Sequence, residues 1–330
     1  MDSPFPKSTS AAGKGSIVVK LLPNGESGLE TVTYQYPLKL ISPSRSAETR
    51  SALVFLLSYG GGLVGGDVVD LSIDIQVDAR LSVVTQGHTK IFISAKPDIV
   101  TRQTLQVRIA DGAALCLLPD PVQPFADSVY QQTQIFRLAG TASLCFLDWV
   151  TQGRVARGED WSFVKWVGKN EVWAAPGDNS EREGRLLVRD TVILDKNRPE
   201  LEKTALRDTM HGLAVFGTLI LRGPLTTTLG NFFLAEFAAL PRIGARDFRS
   251  VAARELEEKQ MSAHEVWRAS RLKMERDDKV LWSAANVRGC VVVKFGASTV
   301  EAGRVWLGSM IVREGSISSH FGDQALMCVR

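Results

Sequence analysis

The chain is predicted to be mainly β, a layered, β-helix-like stack of many short strands with about two late α-helices. Apolar and polar residues alternate with period two in one run after another between residues 17 and 221. Turn signals rich in Gly, Pro and Asp separate these runs at spacings near ten residues, as in an antiparallel β body. A turn followed by small residues and Leu also recurs, at Asp78-Ala79-Arg80-Leu81, Asp111-Gly112-Ala113-Ala114-Leu115 and Gly140-Thr141-Ala142-Ser143-Leu144. A recurrence of about 30 residues is what similar stacked layers produce.

The elements follow in order. Residues 1–15 lack the apolar stretch of a secretory signal and read as a disordered lead, leaving 16–330 as one β-rich domain. Strands are predicted at 18–22, 31–40, 52–57, 68–77, 101–109, 130–138, 161–167 and 186–194. The clearest is 68–77, where Leu71, Ile73, Ile75 and Val77 alternate with Ser72, Asp74 and Gln76. Helix is predicted at 244–279, with a possible break at 260–262. There Phe248, Ala252, Leu256, Ala263, Val266, Trp267 and Met274 share one arc. Glu255 with Lys259 and Glu275 with Lys279 are spaced as exposed i,i+4 pairs. A strand at 288–295 precedes a second helix at 299–313, which Ser298-x-x-Glu301 would cap and Gly315 would stop.

The densest motif is Ser58-Tyr59-Gly60-Gly61-Gly62-Leu63-Val64-Gly65-Gly66-Asp67. As a string, Gly60-x-Gly62-x-x-Gly65 fits a dinucleotide fingerprint, which makes a nucleotide-binding enzyme using loop 60–66 the alternative reading. That fingerprint needs a helix N-terminus to receive pyrophosphate, and here a strand pattern follows. Gly60, Gly61, Gly62, Gly65 and Gly66 are therefore expected to build a bent structural turn.

Further motifs follow at compatible spacing. They are Thr85-Gln86-Gly87-His88-Thr89-Lys90, then Leu118-Pro119-Asp120-Pro121-Val122-x-Pro124-Phe125, then Asp148-Trp149-Val150-Thr151-x-Gly153-Arg154-x-Ala156-Arg157-Gly158-Glu159. Together with the glycine loop this series resembles the UreD (also UreH) family of urease accessory proteins, over residues 16 to 315. The resemblance implies a non-enzymatic scaffold that binds apo-urease. It also implies recruitment of a UreF-type adaptor and a UreG-type GTPase so that nickel reaches the urease active site. His88 departs from the family, which usually carries a small residue at that position.

Counting four and five residues on from Leu81, Leu115 and Leu144 reaches Thr85-Gln86, Pro119-Asp120 and Asp148-Trp149. If the layers stack in register, these polar strand ends form a lane suited to a cation, or they satisfy backbone groups at turns. Candidates for the lane or for interaction are Asp67, at a mouth formed by the glycine turn, and Thr85, Gln86, His88, Lys90, Asp148, Arg154, Arg157 and Glu159. His88 reads either as a transient ligand or as a solvated turn residue. Arg154, Arg157 and Glu159 read either as an internal ion-pair network or as an ordinary charged loop. Trp267 is the candidate adaptor contact, or else a core residue.

No His-x-His, His-Glu-x-x-His or Cys-x-x-Cys spacing occurs, so no tight metal site and no bound cofactor is expected, only transient nickel. The four cysteines are widely spaced and read as free thiols in a reducing compartment. A net charge of +3 without a basic block gives no reason to expect nucleic acid as a partner. The longest apolar stretch, near 213–221, is too short for a bilayer span, and a cytoplasmic location is expected.

Overall fold

The computed structural model describes residues 11–43, 50–176, 184–197, 205–241 and 261–330. Its strands are β1 (Lys14–Leu21), β2 (Ser27–Tyr34), β3 (Leu38–Ile41), β4 (Ala52–Ser58), β5 (Gly62–Leu63), β6 (Val68–Ile75), β7 (Arg80–Val84), β8 (Thr89–Ile91) and β9 (Thr101–Ile109). They continue as β10 (Ala114–Leu117), β11 (Val122–Pro124), β12 (Val129–Leu138), β13 (Ser143–Thr151), β14 (Lys165–Ala174), β15 (Arg185–Asp195), β16 (Val215–Arg222), β17 (Leu281–Val287) and β18 (Cys290–Ala297). The helices are α1 (Leu206–Thr209), α2 (Thr227–Ala238), α3 (Ala263–Asp277), α4 (Val300–Glu314) and α5 (Ser316–Phe321). The mainly β fold is as expected.

Two sheets face each other. The first runs β15-β14-β12-β9-β6-β1-β2, and the main path of the second runs β17-β18-β16-β13-β10-β7-β4-β3. From β4 to β14 the chain winds between them, adding one strand to each sheet per coil, while β5, β8 and β11 form a short ladder between the two. The central pairings are parallel: β6 with β9, β9 with β12, β12 with β14, and β4, β7, β10 and β13 in turn. This corrects the antiparallel expectation, which holds at the flanks, as in β1 with β2 and β13 with β16. Strand spacing does not encode direction. A coil that returns through the opposite sheet brings the chain back parallel to itself after an interval that also suits hairpins.

Other boundaries moved for local reasons. The expected strand 31–40 divides into β2 and β3 around Pro37, and 161–167 starts only at Lys165, because Trp161 sits at φ 52° in a turn. The first strand begins at Lys14, inside the expected lead. Phe248, Ala252, Leu256, Glu255 and Lys259 lie outside the described residues. The break near 260–262 is a helix start: the Ser262 side chain accepts from Glu265 N, and the Glu265 carboxylate returns to Ser262 N. At the last long helix the cap is Thr299, not Ser298, and Gly315 stops it at φ 88°. Strands β5, β8, β11, β16 and β17 and helices α1, α2 and α5 were not foreseen.

Two apolar layers result. Alternate residues of both sheets, among them Ile73, Val107, Phe136, Leu81, Leu115, Leu144 and Phe146, fill the space between the sheets. The other face of the second sheet, with Leu147, Trp149, Leu219 and Val293, is covered by the helices through Phe233, Trp306, Leu307 and Ile311. Among the described residues no helix is long and apolar enough to cross a membrane.

Candidate functional site

Leu81, Leu115 and Leu144 stand side by side in the second sheet, in the register expected from the recurring turns. Continuing that register past the ends of β7 and β10 aligns Thr85 and Pro119 with Asp148, which lies inside β13 and not at its end. Their surroundings are polar although they lie between two apolar layers.

Thr85 and Asp120 form the outer node. The Thr85 hydroxyl donates to Asp120 Oδ2 at 3.0 Å and accepts the Asp120 backbone N–H at 2.7 Å. Gly87 N donates to the same Oδ2 at 2.9 Å, and Arg304 of α4 donates to Oδ1 at 2.9 Å. Cys328 lies 3.8 Å from the Thr85 hydroxyl, and burial pushes its thiol up to about 11. His88 is half-buried beside this node. Burial lowers its pKa, opposed by Asp120 and by a hydrogen bond with Gln123 and assisted by Arg304 and Lys90, so the neutral imidazole is favoured.

Asp148 forms the inner node. It is buried, accepting from Gln132 at 2.5 Å and from Asn170 at 2.7 Å. Both donors come from the first sheet, so the two sheets meet at this carboxylate. Burial raises its pKa to about 6, against the two amide donors; nearby Asp190 raises it further and Lys294 opposes. Gln134 donates to Asn170 Oδ1 at 3.2 Å. Beyond, Thr218 faces Asp148 across the β13–β16 ladder and donates to Asp190 at 3.0 Å, and Lys294 Nζ reaches Asp190 at 2.7 Å. The polar groups thus run across the sandwich, transverse to its strands, from Thr85 to Lys294.

A cavity of about 40 Å³ opens between the nodes, lined by Thr85, Asp120, Gln103, Gln132, Gln134 and Asp148 among others. An outer groove of about 260 Å³ lies between Gly60-Gly61 and Gln86-Gly87-His88. Cavity and groove share Leu56, Thr85 and Thr89 as lining residues, so the glycine turn borders a groove that adjoins the polar band.

The other candidates are placed differently. Asp67 does not line the mouth; its carboxylate accepts Val64 N at 2.8 Å and closes the glycine turn. Gln86 is exposed on the rim of the outer groove, and Lys90 is exposed. Arg154 and Glu159 form an ion pair, with Glu159 also accepting Arg154 N at 2.8 Å and the guanidinium 3.8 Å over the Phe125 ring. This network locks its own loop and does not line the cavity. Arg157 is exposed. Loop 60–66 runs into β5 and β6, so the nucleotide alternative lacks its helix N-terminus. Of the glycines, Gly60, Gly61 and Gly66 have positive φ (69°, 76° and 93°). Gly62 and Gly65 serve close approach: a Cβ on Gly62 would stand 2.7 Å from the Lys90 carbonyl oxygen, and one on Gly65 3.1 Å from that of Ile93.

Trp267 is half-buried, stacked on His264 at 5.5 Å and packed against Phe232 at 5.7 Å, with Val266 beside it 53% exposed. The buried face of α3 carries charge that its apolar arc did not indicate. Arg271 pairs with Glu275 and with Glu236 of α2, and Glu275 accepts the Trp282 and Trp306 indole N–H groups. Glu275 therefore does not make the expected exposed pair with Lys279.

Gln103, Gln132, Gln134, Asn170, Asp190, Thr218 and Lys294 were absent from the sequence-based set. Their signal was a polar residue at an inward position of an alternating strand, as in Tyr130-x-Gln132-x-Gln134-x-Phe136.

Comparison with known proteins adds the last findings. The family model described as UreD urease accessory protein matches residues 12–324. An uncharacterized urease accessory protein ureD-like from Schizosaccharomyces pombe is 34% identical over 87% of this chain and 89% of its own. Urease accessory protein UreD from Anaeromyxobacter sp. is 30% identical over 92% of this chain and 86% of its own. Urease accessory protein 4 from Cryptococcus neoformans var. grubii is 34% identical over 67% and 73%.

Proposed function

The chain belongs to the UreD urease accessory protein family, and from that premise we propose that it serves urease maturation as a non-enzymatic cytoplasmic scaffold. It binds apo-urease and recruits a UreF-type adaptor and a UreG-type GTPase. A nickel ion passes along its polar band toward the urease active site. The observation that carries this reading is the buried carboxylate of Asp148, held between two amides and lining a cavity that shares Thr85 and Thr89 with the groove beside His88.

A cation entering a protein interior loses hydration, and the walls must return ligands without trapping it. Nickel takes imidazole and carboxylate readily. His88 offers a neutral nitrogen at the mouth, Asp120 and Thr85 offer oxygens at the outer node, and Gln132, Asp148 and Asn170 offer oxygens within. The cavity between the nodes is small, about 40 Å³, and walled by carboxylate, hydroxyl and amide groups. The ion exchanges most of its water for side-chain oxygens, and the amides rotate to admit it. Asp120 and Asp148 each already accept hydrogen bonds, which keeps their hold on a passing ion weak.

The test separates conduction from assembly. Asp148→Leu and Thr85→Trp should still assemble with apo-urease, the adaptor and the GTPase in a pull-down, while the nickel content and activity of the matured urease fall. Full activation by either folded variant would leave a scaffold without a lane.

A further inference from the structure

Among the described residues the two sheets end in four edge strands, and three of these are protected against pairing with another chain. Strand β2 carries Glu30, paired with Lys20, and a register shift disturbs its ladder. Strand β15 carries Arg185, Arg189, Asp190 and Asp195 beside another register shift. Strand β3 has four residues, one of them Lys39, and follows Pro37. Charge, bulges, shortness and proline are the ordinary ways in which sheet edges avoid association.

Strand β17 has none of these. Its sequence Leu-Trp-Ser-Ala-Ala-Asn-Val contains no charge and no proline, and its ladder to β18 is unbroken over seven residues. Among the described residues no other strand pairs with it. Trp282 and Ala284 pack toward the helices, whereas Leu281, Ser283, Ala285 and Val287 are exposed, Leu281 at 65% and Val287 at 40%. The first sheet does not cover them. Its last strand, β15, lies opposite β18, where Lys294 meets Asp190.

We propose that β17 is a homodimer edge, pairing antiparallel with β17 of a second copy about a two-fold axis at Ala284. The strand is self-complementary in that register. Leu281 of each copy meets Val287 of the other on the exposed face, Ser283 meets Ala285, and Trp282 meets Asn286. A two-fold contact places the same residues on both sides, and an uncharged strand does so without like-charge repulsion. Pairing satisfies the open backbone groups and covers the two most exposed apolar side chains of the strand. The second sheet then continues through the axis into the partner copy. A single pair of edges buries less than a standard interface, so association is concentration-dependent. The inference is independent of nickel passage.

Light scattering and sedimentation of the full chain across micromolar concentrations test it. The mass should rise from 36.1 kDa toward twice that value, and Ala285→Lys, placing a charge on the exposed edge, should hold the protein at monomer mass. Ser283→Cys/Ala285→Cys should crosslink under mild oxidation, because residue 283 of one copy faces residue 285 of the other. Either single cysteine should not. The four native cysteines are buried and give little background. Monomer mass for the unaltered chain at every concentration, or crosslinking by the singles equal to that of the double variant, would overturn the proposal.

Discussion

Thr85 and Asp120 hold each other twice: the hydroxyl donates to the carboxylate and accepts the backbone N–H of the same residue. The two residues lie 35 positions apart, about one coil of the stack, so the pair clamps neighbouring layers at the point where the outer groove meets the cavity. Thr85→Val keeps the shape but leaves a buried N–H without its acceptor and a carboxylate short of one donor. A loss of about 1–3 kcal/mol is expected in urea unfolding, against under about 1 kcal/mol for Thr85→Ser. Equal stabilities for Val and Ser would show that the hydroxyl is not part of the clamp.

The glycine loop separates two kinds of constraint. At Gly60 the backbone has φ 69° and a Cβ would meet open space, so Ala is disfavoured only by conformation, at about 1 kcal/mol, and Asn should be milder. At Gly62 the backbone is extended, but a Cβ would stand 2.5 Å from the Phe92 ring and 2.7 Å from a carbonyl oxygen. Gly62→Ala should cost about 1–3 kcal/mol, and Gly62→Asn more. Melting temperatures of the four variants decide it. The same order of Ala and Asn at both positions would contradict the division.

What was legible in the sequence was the periodicity. Alternation identified most strands, and the small-residue-to-Leu turns gave the register that aligns Thr85 with Asp148. Strand direction was not legible, because nothing local to β6 or β9 distinguishes a coil from a hairpin. The inner half of the band was also hidden. Gln132 and Asn170 are ordinary strand residues until a second sheet, distant in sequence, brings Asp148 against them. Helix α3 misled for a related reason: of the arc expected for it, Ala263 and Val266 are exposed and Trp267 and Met274 only half-buried, whereas Arg271 and Glu275 point inward because Glu236 and two indoles complete their bonding.

That buried pair gives α3 a dual character. Glu275→Leu leaves Arg271 short of one counterion and two indole N–H groups without an acceptor, and should cost about 3–5 kcal/mol. Trp267→Ala, four residues before Arg271, removes a half-buried ring and should cost only about 1–2 kcal/mol. Chemical denaturation of both variants, with a pull-down of a UreF-type adaptor, distinguishes the roles. Normal folding with lost adaptor binding in Trp267→Ala would mark the ring as an interface anchor, while a loss of stability as large as that of Glu275→Leu would return it to the core.

Asp148 should leave a signature in the pH dependence of stability. Its pKa rises from the ordinary 3.8 to about 6 in the folded protein, with burial as the largest cause. A carboxyl with a raised folded pKa favours folding while protonated. That advantage is complete below about pH 4, declines as pH rises, and is gone above about pH 6. The rise corresponds to about 3 kcal/mol at most. Asp148→Asn carries no charge, so it should be more stable than the native protein at pH 8, with the difference shrinking steadily toward pH 4. The other titrating groups largely cancel in that difference. Urea unfolding of both proteins from pH 4 to pH 8 provides the measurement, and a difference that does not vary with pH would show that the carboxyl titrates normally. If the band conducts nickel, urease activation through the native protein should also weaken below about pH 6, where Asp148 takes up a proton and no longer attracts a cation, while assembly with the partner proteins is retained.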